Sequence, residues 1–473
     1  MAFSVKSIIK HLLVLLFFAL TSLLYFYPVL QGKALFQSDI AQYSGMAKER
    51  NDFKALTGEE SYWTNSAFGG MPTYQLGANF PHNYIKQLDR AIRFMPRPTD
   101  YLFLYLVGFY VLMLCLKTDY RLAILGALAF GLSTYLIIIL EVGHNAKAHA
   151  LGYIPMVFGG IILVFRKKYF LGFVLTALAM ALEINANHFQ MTYYFGLLVL
   201  ILGLVYLIYA IKQKQLKHFG VSVGLLLVAV VLAFATNATS LLSTKEYADW
   251  STRGTSELKL SPDGTPKPST EGLDKEYITR YSYGIAESLN LFSARLFGGS
   301  SAGEDLGKDS KAYEFLVGQG LPSSRALEFS SGLPLYWGKQ PGVAAPAYVG
   351  AVVFFLFFLG LFLVKSKDKW WLLGGAILSL LLSWGKNFSL LTDFMIDYYP
   401  LYDMFRAVSS IQVVLELCIP VLGILGLREI YRRKAKNKEL LKGLKWGFAV
   451  AIGLGVFILV MKAVFRFEGL NDE

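Results

Sequence analysis

The chain has 473 residues, of which 55% are hydrophobic and only 16% charged. That balance excludes a soluble globular protein and places it among polytopic membrane proteins. The formal charge of +12 does not indicate nucleic-acid binding, because Lys and Arg sit in short clusters between apolar runs and no recognition module is present. Cys115 and Cys418 both fall in apolar runs, so neither a disulfide framework nor a Cys-based metal site is supported.

The N-terminus is basic and runs into an apolar stretch too long for a signal peptide and without a small-residue cleavage site, so it reads as a retained span near 9–30. Ten further apolar stretches follow, near 100–116, 122–140, 150–165, 169–184, 193–211, 219–236, 346–364, 370–384, 409–427 and 446–464. Each approaches the roughly twenty residues needed to cross hydrocarbon. No ten-residue alternation of a barrel is visible, and only closed hydrogen-bonding structures survive in lipid, so these crossings are predicted to be helices. The expected fold class is an all-α polytopic membrane protein with about eleven transmembrane helices.

With the N-terminus in the cytoplasm, the short connections on that side hold twenty-one Lys and Arg, including Lys6, Lys10, the KQKQLK run at 212–217 and many in 428–445. The short connections opposite, 141–149, 185–192 and 385–408, hold three: Lys147, Lys386 and Arg406. This asymmetry predicts a cytoplasmic N-terminus and an extracytoplasmic C-terminus. Two long connections fall on the outer side, 31–99 and 237–345. They define an N-terminal module 1–236, a second outer loop 237–345 and a C-terminal module 346–473. In the first loop, HNYIKQLDRAIRFM at 82–95 carries Ile85, Leu88, Ile92 and Met95 at helical spacing, which predicts an interfacial helix with its apolar face toward the membrane. In the second, the Ser, Thr, Pro and Gly-rich piece 251–270 is predicted mobile and 298–310 loop-like. Connections of this length are uncommon unless functional or disordered. The tail FRFEGLNDE is too short to cap anything, and the natural protein is expected to continue into an outer soluble domain.

Candidate chemistry collects at the outer ends of the spans. Asp39, in FQSDIAQY at 36–43, is the first acidic residue and lies just past the first span. EVGHNAKAHALGYIP at 141–155 brings Glu141, His144, Lys147 and His149; Glu141, Asn145 and His149 can share one helical face, and His144 and Lys147 another. The five-residue His spacing and the absence of an HExxH pattern disfavour a metal, with a divalent cation kept as an alternative; a merely solvated turn is disfavoured by the adjoining spans. INANHFQMTYY at 184–194 offers Asn187, His188 and Gln190, which either meet sugar hydroxyls or cap the two helices. Tyr247, in 241–254, and YWGKQPG at 336–342 flank the second loop as carbohydrate platforms or interface anchors. Arg406, beside Asp403, either snorkels to headgroups or clamps a phosphate. No GxSxG elbow, P-loop or Rossmann fingerprint occurs in a suitable context, and polar groups gathered at one surface argue against a transporter.

The same stretches resemble the YfhO-like family of bacterial membrane proteins, which are GT-C type, polyprenyl-phosphate-sugar-dependent glycosyltransferases. The resemblance rests on FQSDIAQY, on Trp63 followed by AFGGMPTYQ, on EVGHNAKAHALGYIP, NHFQMTYY, EYADWSTRG and YWGKQPG, and covers nearly the whole chain. It implies a GT-C-like bundle in the bacterial cytoplasmic membrane with Asp39 as general base. It leaves a second acid open among Glu141, Asp89 and Asp100, and implies a further outer C-terminal region. An outward-facing site needs its sugar delivered on a lipid, so the expected reaction is inverting transfer from a polyprenyl phosphate to an envelope glycan, glycolipid or protein acceptor. Lys147, Arg406 and His144 are the expected phosphate contacts. Glu141, His149, Asn187, His188, Gln190 and Tyr247 are the expected substrate contacts, with no cofactor required. The alternative is a transporter or flippase of lipid-linked or small solutes, or a non-catalytic assembly protein.

Overall fold

The computed structural model describes residues 5–254, 260, 264–266, 272–303, 306–432 and 437–469. Most of the stretch predicted mobile within 251–270, residues 304–305 of the loop-like piece, 433–436 of the basic cluster and the last four residues of the tail lie outside the described residues. The chain is an all-α, multi-pass membrane protein. Among the described residues, six helices are long and apolar enough to cross a membrane: Val5–Tyr25, Asn145–Phe165, Phe189–Lys212, Leu216–Thr236, Val408–Tyr431 and Asn437–Met461. A seventh results if Tyr120–Gly131 and Thr134–Glu141 form one broken span. Thr99–Cys115, Tyr169–Asn185 and Ala351–Leu363 are apolar but shorter.

The chain divides into two compact units, Met1–Leu132 with Ile139–Asp274, and Ser133–Ile138 with Lys275–Glu473. The boundary at Asp274 cuts through the connection expected to be one loop from 237 to 345. Its first part joins the first unit because Thr244 accepts a hydrogen bond from Gln75 at 2.8 Å and Tyr247 packs on a cluster that includes Met71 and Leu76.

In the first unit, α1 (Val5–Tyr25) leads into a connection that is folded rather than loose. It forms α2 (Ser38–Met46), α3 (Lys48–Thr57), an antiparallel ribbon pairing Trp63 with Pro72 and Thr64 with Met71, and α4 (Tyr84–Ile92). One oxygen of Glu49 accepts from the Thr64 hydroxyl at 2.6 Å and from the N–H groups of Asn65 and Ser66 at 2.8 and 2.9 Å, tying α3 to the ribbon. Of the apolar stripe on α4, Ile85 and Ile92 pack against Leu104, Tyr153 and Leu182, and Met95 is buried, whereas Leu88 is exposed. The segment expected to lie on headgroups thus packs on helix ends of its own unit.

The helices that follow in sequence are α5 (Thr99–Cys115), α6 (Tyr120–Gly131), α7 (Thr134–Glu141), of which the part up to Ile138 belongs to the second unit, α8 (Asn145–Phe165), α9 (Tyr169–Asn185), α10 (Phe189–Lys212), α11 (Leu216–Thr236) and α12 (Ala238–Asp249). Lipid leaves a backbone no water to bond, so each apolar run closes its own ladder as a helix. The spine is α8, packed on α5 and α9. A Cβ on Gly160 would fall 2.6 Å from the Thr176 nitrogen, and one on Gly172 2.5 Å from the Val164 nitrogen. Small residues let α8 and α9 approach this closely, the usual route to helix association in lipid.

The second unit contains α13 (Lys275–Thr279), α14 (Lys311–Gly318), α15 (Ser323–Ser331), α16 (Ala351–Leu363), α17 (Asp368–Ser383), α18 (Ser389–Tyr398), α19 (Gln412–Tyr431) and α20 (Asn437–Met461). Its core helix, α19, is buried almost throughout and packs on α16 and α17. Ser379 on α17 donates to the Ile411 carbonyl at 2.7 Å, and Ser133 donates to Glu416 at 2.5 Å.

Candidate functional site

α2 begins at Ser38 because Gln37 is extended, and Asp39 occupies its first turn, where the helix dipole favours a carboxylate. The Gln37 amide donates to the Leu140 carbonyl and to Asn145 Oδ1 at 3.2 Å, and Asn145 Nδ2 donates back to Gln37 Oε1 at 3.1 Å. The Asp39 N–H donates to the Val142 carbonyl at 3.4 Å. These bonds pin the start of α2 onto the turn between α7 and α8. Gly143 makes that turn at φ 91°, and a Cβ there would lie 3.1 and 3.2 Å from the Cβ atoms of Gln37 and Asp39. Both the left-handed backbone and the close approach call for glycine. As a result Asp39 Oδ2 lies 3.3 Å from His144 Nε2, with the side chains 49% and 43% exposed.

Lys147 follows in the first turn of α8 and is buried, although a helix N-terminus by itself disfavours a cation. His188 is the N-cap residue of α10, and its Nδ1 is buried without a hydrogen-bond partner among the described residues. Burial first, then the positive charges of Lys147 and His144, push His188 down to about 3. Lys147, His144 and His188 are therefore electrostatic neighbours at the N-termini of α8 and α10. Helix N-termini combined with a fixed cation form an environment that attracts an anion.

Beyond the α9–α10 turn that carries His188 runs a hollow of about 500 Å³ bounded by α8 to α11. Glu183 and Thr192 line its end nearest His188 in sequence, and Thr192 donates to Glu183 Oε1 at 2.8 Å. From there it follows α10 to Leu207, past Phe195, Gly203 and other apolar side chains, about 22 Å at 1.5 Å per helical residue. Its size and lining are those of a ligand pocket for an apolar chain.

A second polar cluster is closed. Asp89, 2% exposed, accepts from His149 Nε2 at 2.5 Å, from the Tyr153 hydroxyl at 2.9 Å, and from Arg93 Nε at 3.1 Å and Nη2 at 2.7 Å. Arg93 also donates to Asp100 at 2.6 Å. Burial opposes ionisation of Asp89, but the bonds from His149 and Arg93 outweigh it and hold the carboxyl well below the usual range. Its acceptor sites are occupied by its own neighbours. His149, expected at the substrate, and Asp89 and Asp100, two of the three candidates for a second acid, are thus committed to joining α4 to the spans. Glu141, the third, ends α7 and is exposed. Because Gly143 breaks the chain between α7 and α8, the expected helical face of Glu141, Asn145 and His149 does not form.

The remaining expected contacts are bonded elsewhere. Asn187 donates to Gln75 at 2.9 Å, Gln190 donates to Tyr194 at 2.9 Å, and the Tyr247 hydroxyl lies 4.0 Å from Met71 Sδ. Arg406 belongs to the second unit, where it donates to the Tyr277 hydroxyl at 2.6 Å and sits over that ring. Of the residues singled out in the sequence, Asp39, His144, Lys147 and His188 gather in the first unit. Gln37, Gly143 and the Glu183–Thr192 pair were not read from the sequence, nor was the bonding of the candidates Asp89, Asp100 and His149 through Arg93 and one another, although the Asp89–Arg93 spacing of four is a readable helix pair. Among the described residues no group of three or more His, Cys, Asp or Glu is placed to hold a metal.

Fold and site together define a multi-pass, all-α membrane protein with a half-exposed carboxylate–imidazole pair and an apolar groove in one unit. Comparison with protein-family models, with curated proteins and with solved structures returns no match.

Proposed function

We propose that the chain is an inverting glycosyltransferase of the YfhO-like, GT-C type, taking its sugar from a polyprenyl phosphate in the bacterial cytoplasmic membrane. The observation that carries this reading is the pairing of Asp39 with His144 beside Lys147 and His188, in a unit that also carries a groove shaped for an apolar chain. Asp39 takes the proton of an acceptor hydroxyl as its oxygen bonds to the anomeric carbon. The bond from that carbon to the phosphate oxygen breaks, and the phosphate leaves on the lipid with the electron pair, neutralised by Lys147 and the two helix N-termini. Attack opposite the leaving group inverts the anomeric centre. The acceptor is an envelope glycan, glycolipid or protein. The donor phosphodiester carries one negative charge, which Lys147 meets, and the second charge that develops on the departing phosphate falls to the two helix N-termini, so this reading assigns no metal.

The accompanying topology has eleven crossings, with α1 entering from the cytoplasm and the turn at Gly143 outside. The test is turnover of a radiolabelled polyprenyl-phosphate sugar by the purified chain in bilayer nanodiscs, with chelator present. Transfer that is lost in Lys147→Ala supports the reading. Binding without transfer to any acceptor class overturns it. A flippase is the second reading, favoured by a groove that follows α10 for most of its length. Protected lipid-linked sugar crossing the bilayer, with no new glycosidic bond, would select it.

A further inference from the structure

The second unit holds a hollow of about 600 Å³ built around the YWGK segment at 336–339. Its floor is Glu287, 1% exposed, whose carboxylate accepts the Gly284 N–H at 2.6 Å, the Lys339 N–H at 3.1 Å and the Tyr336 hydroxyl. These bonds fix the chain on both sides of Trp337. Gly338 fits because it has no Cβ: one would fall 2.2 Å from the Tyr336 oxygen and 2.3 Å from Glu287 Oε1. With Tyr336 turned in to Glu287, Trp337 lines the hollow, stacked on Phe297 at 4.1 Å and edged by Phe467 at 4.9 Å. It is half-buried and rigidly placed, unlike Trp250, which is 83% exposed in the manner of an interface anchor.

Polar groups ring this aromatic wall. Lys339, Arg466 and Glu468 line the hollow, as does Asn387, whose Nδ2 donates to the Tyr283 carbonyl at 2.7 Å and leaves Oδ1 as the acceptor. A pyranose ring has an apolar C–H face that packs on an aromatic surface and a hydroxyl edge that needs both donors and acceptors. Charge narrows the ligand further. The three donors to Glu287 are uncharged and leave its charge in place at the buried floor, whereas at the exposed rim the two cations Lys339 and Arg466 face one carboxylate, Glu468, so a ligand at the rim meets one cation more than it meets anions.

We propose that this hollow is a glycan-binding subsite for one pyranose ring bearing a single acidic group, with Trp337 as the platform and Lys339 and Arg466 as partners of the acid. It binds and does no chemistry, so it holds or fails independently of the transfer reaction. The same chemistry is offered by a soluble acidic glycan and by an acidic lipid headgroup, and the test separates them.

The full chain in neutral-lipid nanodiscs is titrated with cellobiouronic acid, cellobiose and inorganic phosphate by calorimetry and saturation-transfer NMR. Cellobiouronic acid binds, cellobiose binds more weakly, and phosphate does not displace either. Trp337→Ala weakens binding about tenfold or more, Trp337→Phe weakens it less, and Lys339→Ala with Arg466→Ala brings the acidic disaccharide down to the level of cellobiose. If Trp337→Ala is not monodisperse, the Phe variant and the double variant decide. The proposal is overturned if neither disaccharide binds, if both of those variants bind like the wild type, or if phosphate displaces the sugar completely. It is overturned equally if phosphatidylglycerol in the nanodisc abolishes sugar binding, which assigns the hollow to a lipid headgroup.

Discussion

The Asp39 carboxylate and the His144 imidazole lie 3.3 Å apart although one belongs to the first turn of α2 and the other to the cap of α8. Their meeting is enforced by the reciprocal amide bonds of Gln37 and Asn145 and by Gly143 beneath them. Asp39→Asn keeps the shape and removes the proton acceptor, so transfer from a polyprenyl-phosphate sugar is expected to fall about a hundredfold to ten-thousandfold while donor binding stays within about twofold of wild type. Turnover above about half of wild type in that variant would show that another group is the base.

The groove leads to a prediction about chain length. Gly203 lines it and has open space where a side chain would stand. Gly203→Leu is expected to raise KM for a long-chain polyprenyl donor about tenfold with kcat unchanged, because it removes binding common to ground and transition states. A donor with one or two isoprene units should be indifferent to the change. Equal effects on both donors would place the lipid elsewhere.

The Asp89 cluster should behave as structure rather than as catalyst. Asp89→Ala strands Arg93, His149 and Tyr153 without their shared acceptor, at a cost of about 3–5 kcal/mol, read as a lowered unfolding midpoint in detergent. The Asp89 carboxyl is held below its ordinary value. Its contribution is thus fully present above about pH 4 and lost only as pH falls further. A wild-type midpoint that dropped between pH 7 and pH 5 by an Asp89-dependent amount would contradict this.

His188 contributes a pH dependence in that interval. It is held neutral down to about pH 3 in the fold, whereas in the unfolded chain it takes up a proton near pH 6.5. Its contribution is present above about pH 6.5 and is lost as the pH falls toward 3, since the unfolded state then binds the extra proton. The unfolding midpoint should therefore fall from pH 7.5 to pH 5, and His188→Gln should flatten that slope. An unchanged slope in the variant would place the titration elsewhere.

Topology is checked by labelling. Phe68 and Trp250 are 85% and 83% exposed, and Lys214 is exposed in the KQKQLK run. In a background lacking Cys115 and Cys418, Phe68→Cys and Trp250→Cys should react with an impermeant thiol reagent added to intact spheroplasts, and Lys214→Cys should react only after lysis. The reverse pattern would invert the orientation and move the Asp39 site to the cytoplasmic side.

The class of this protein was legible in the sequence because hydrocarbon imposes one solution on a long apolar run, an internally bonded helix, and the run's composition is a local property. The polar residues of 141–155 and 184–194 were legible as candidates for a related reason: polar side chains beside spans are costly. Composition did not reveal which of them meet. His144 and His149 look equivalent in the sequence, yet one turn of helix and the break at Gly143 direct the first to Asp39 and the second to Asp89. The same tertiary geometry bonded Asp89 and Asp100 into a buried cluster with Arg93 and brought Gln37 and Gly143 beside Asp39. Spacing along the chain determines which side chains share a helix face, but only the packing of separate helices decides which faces come together.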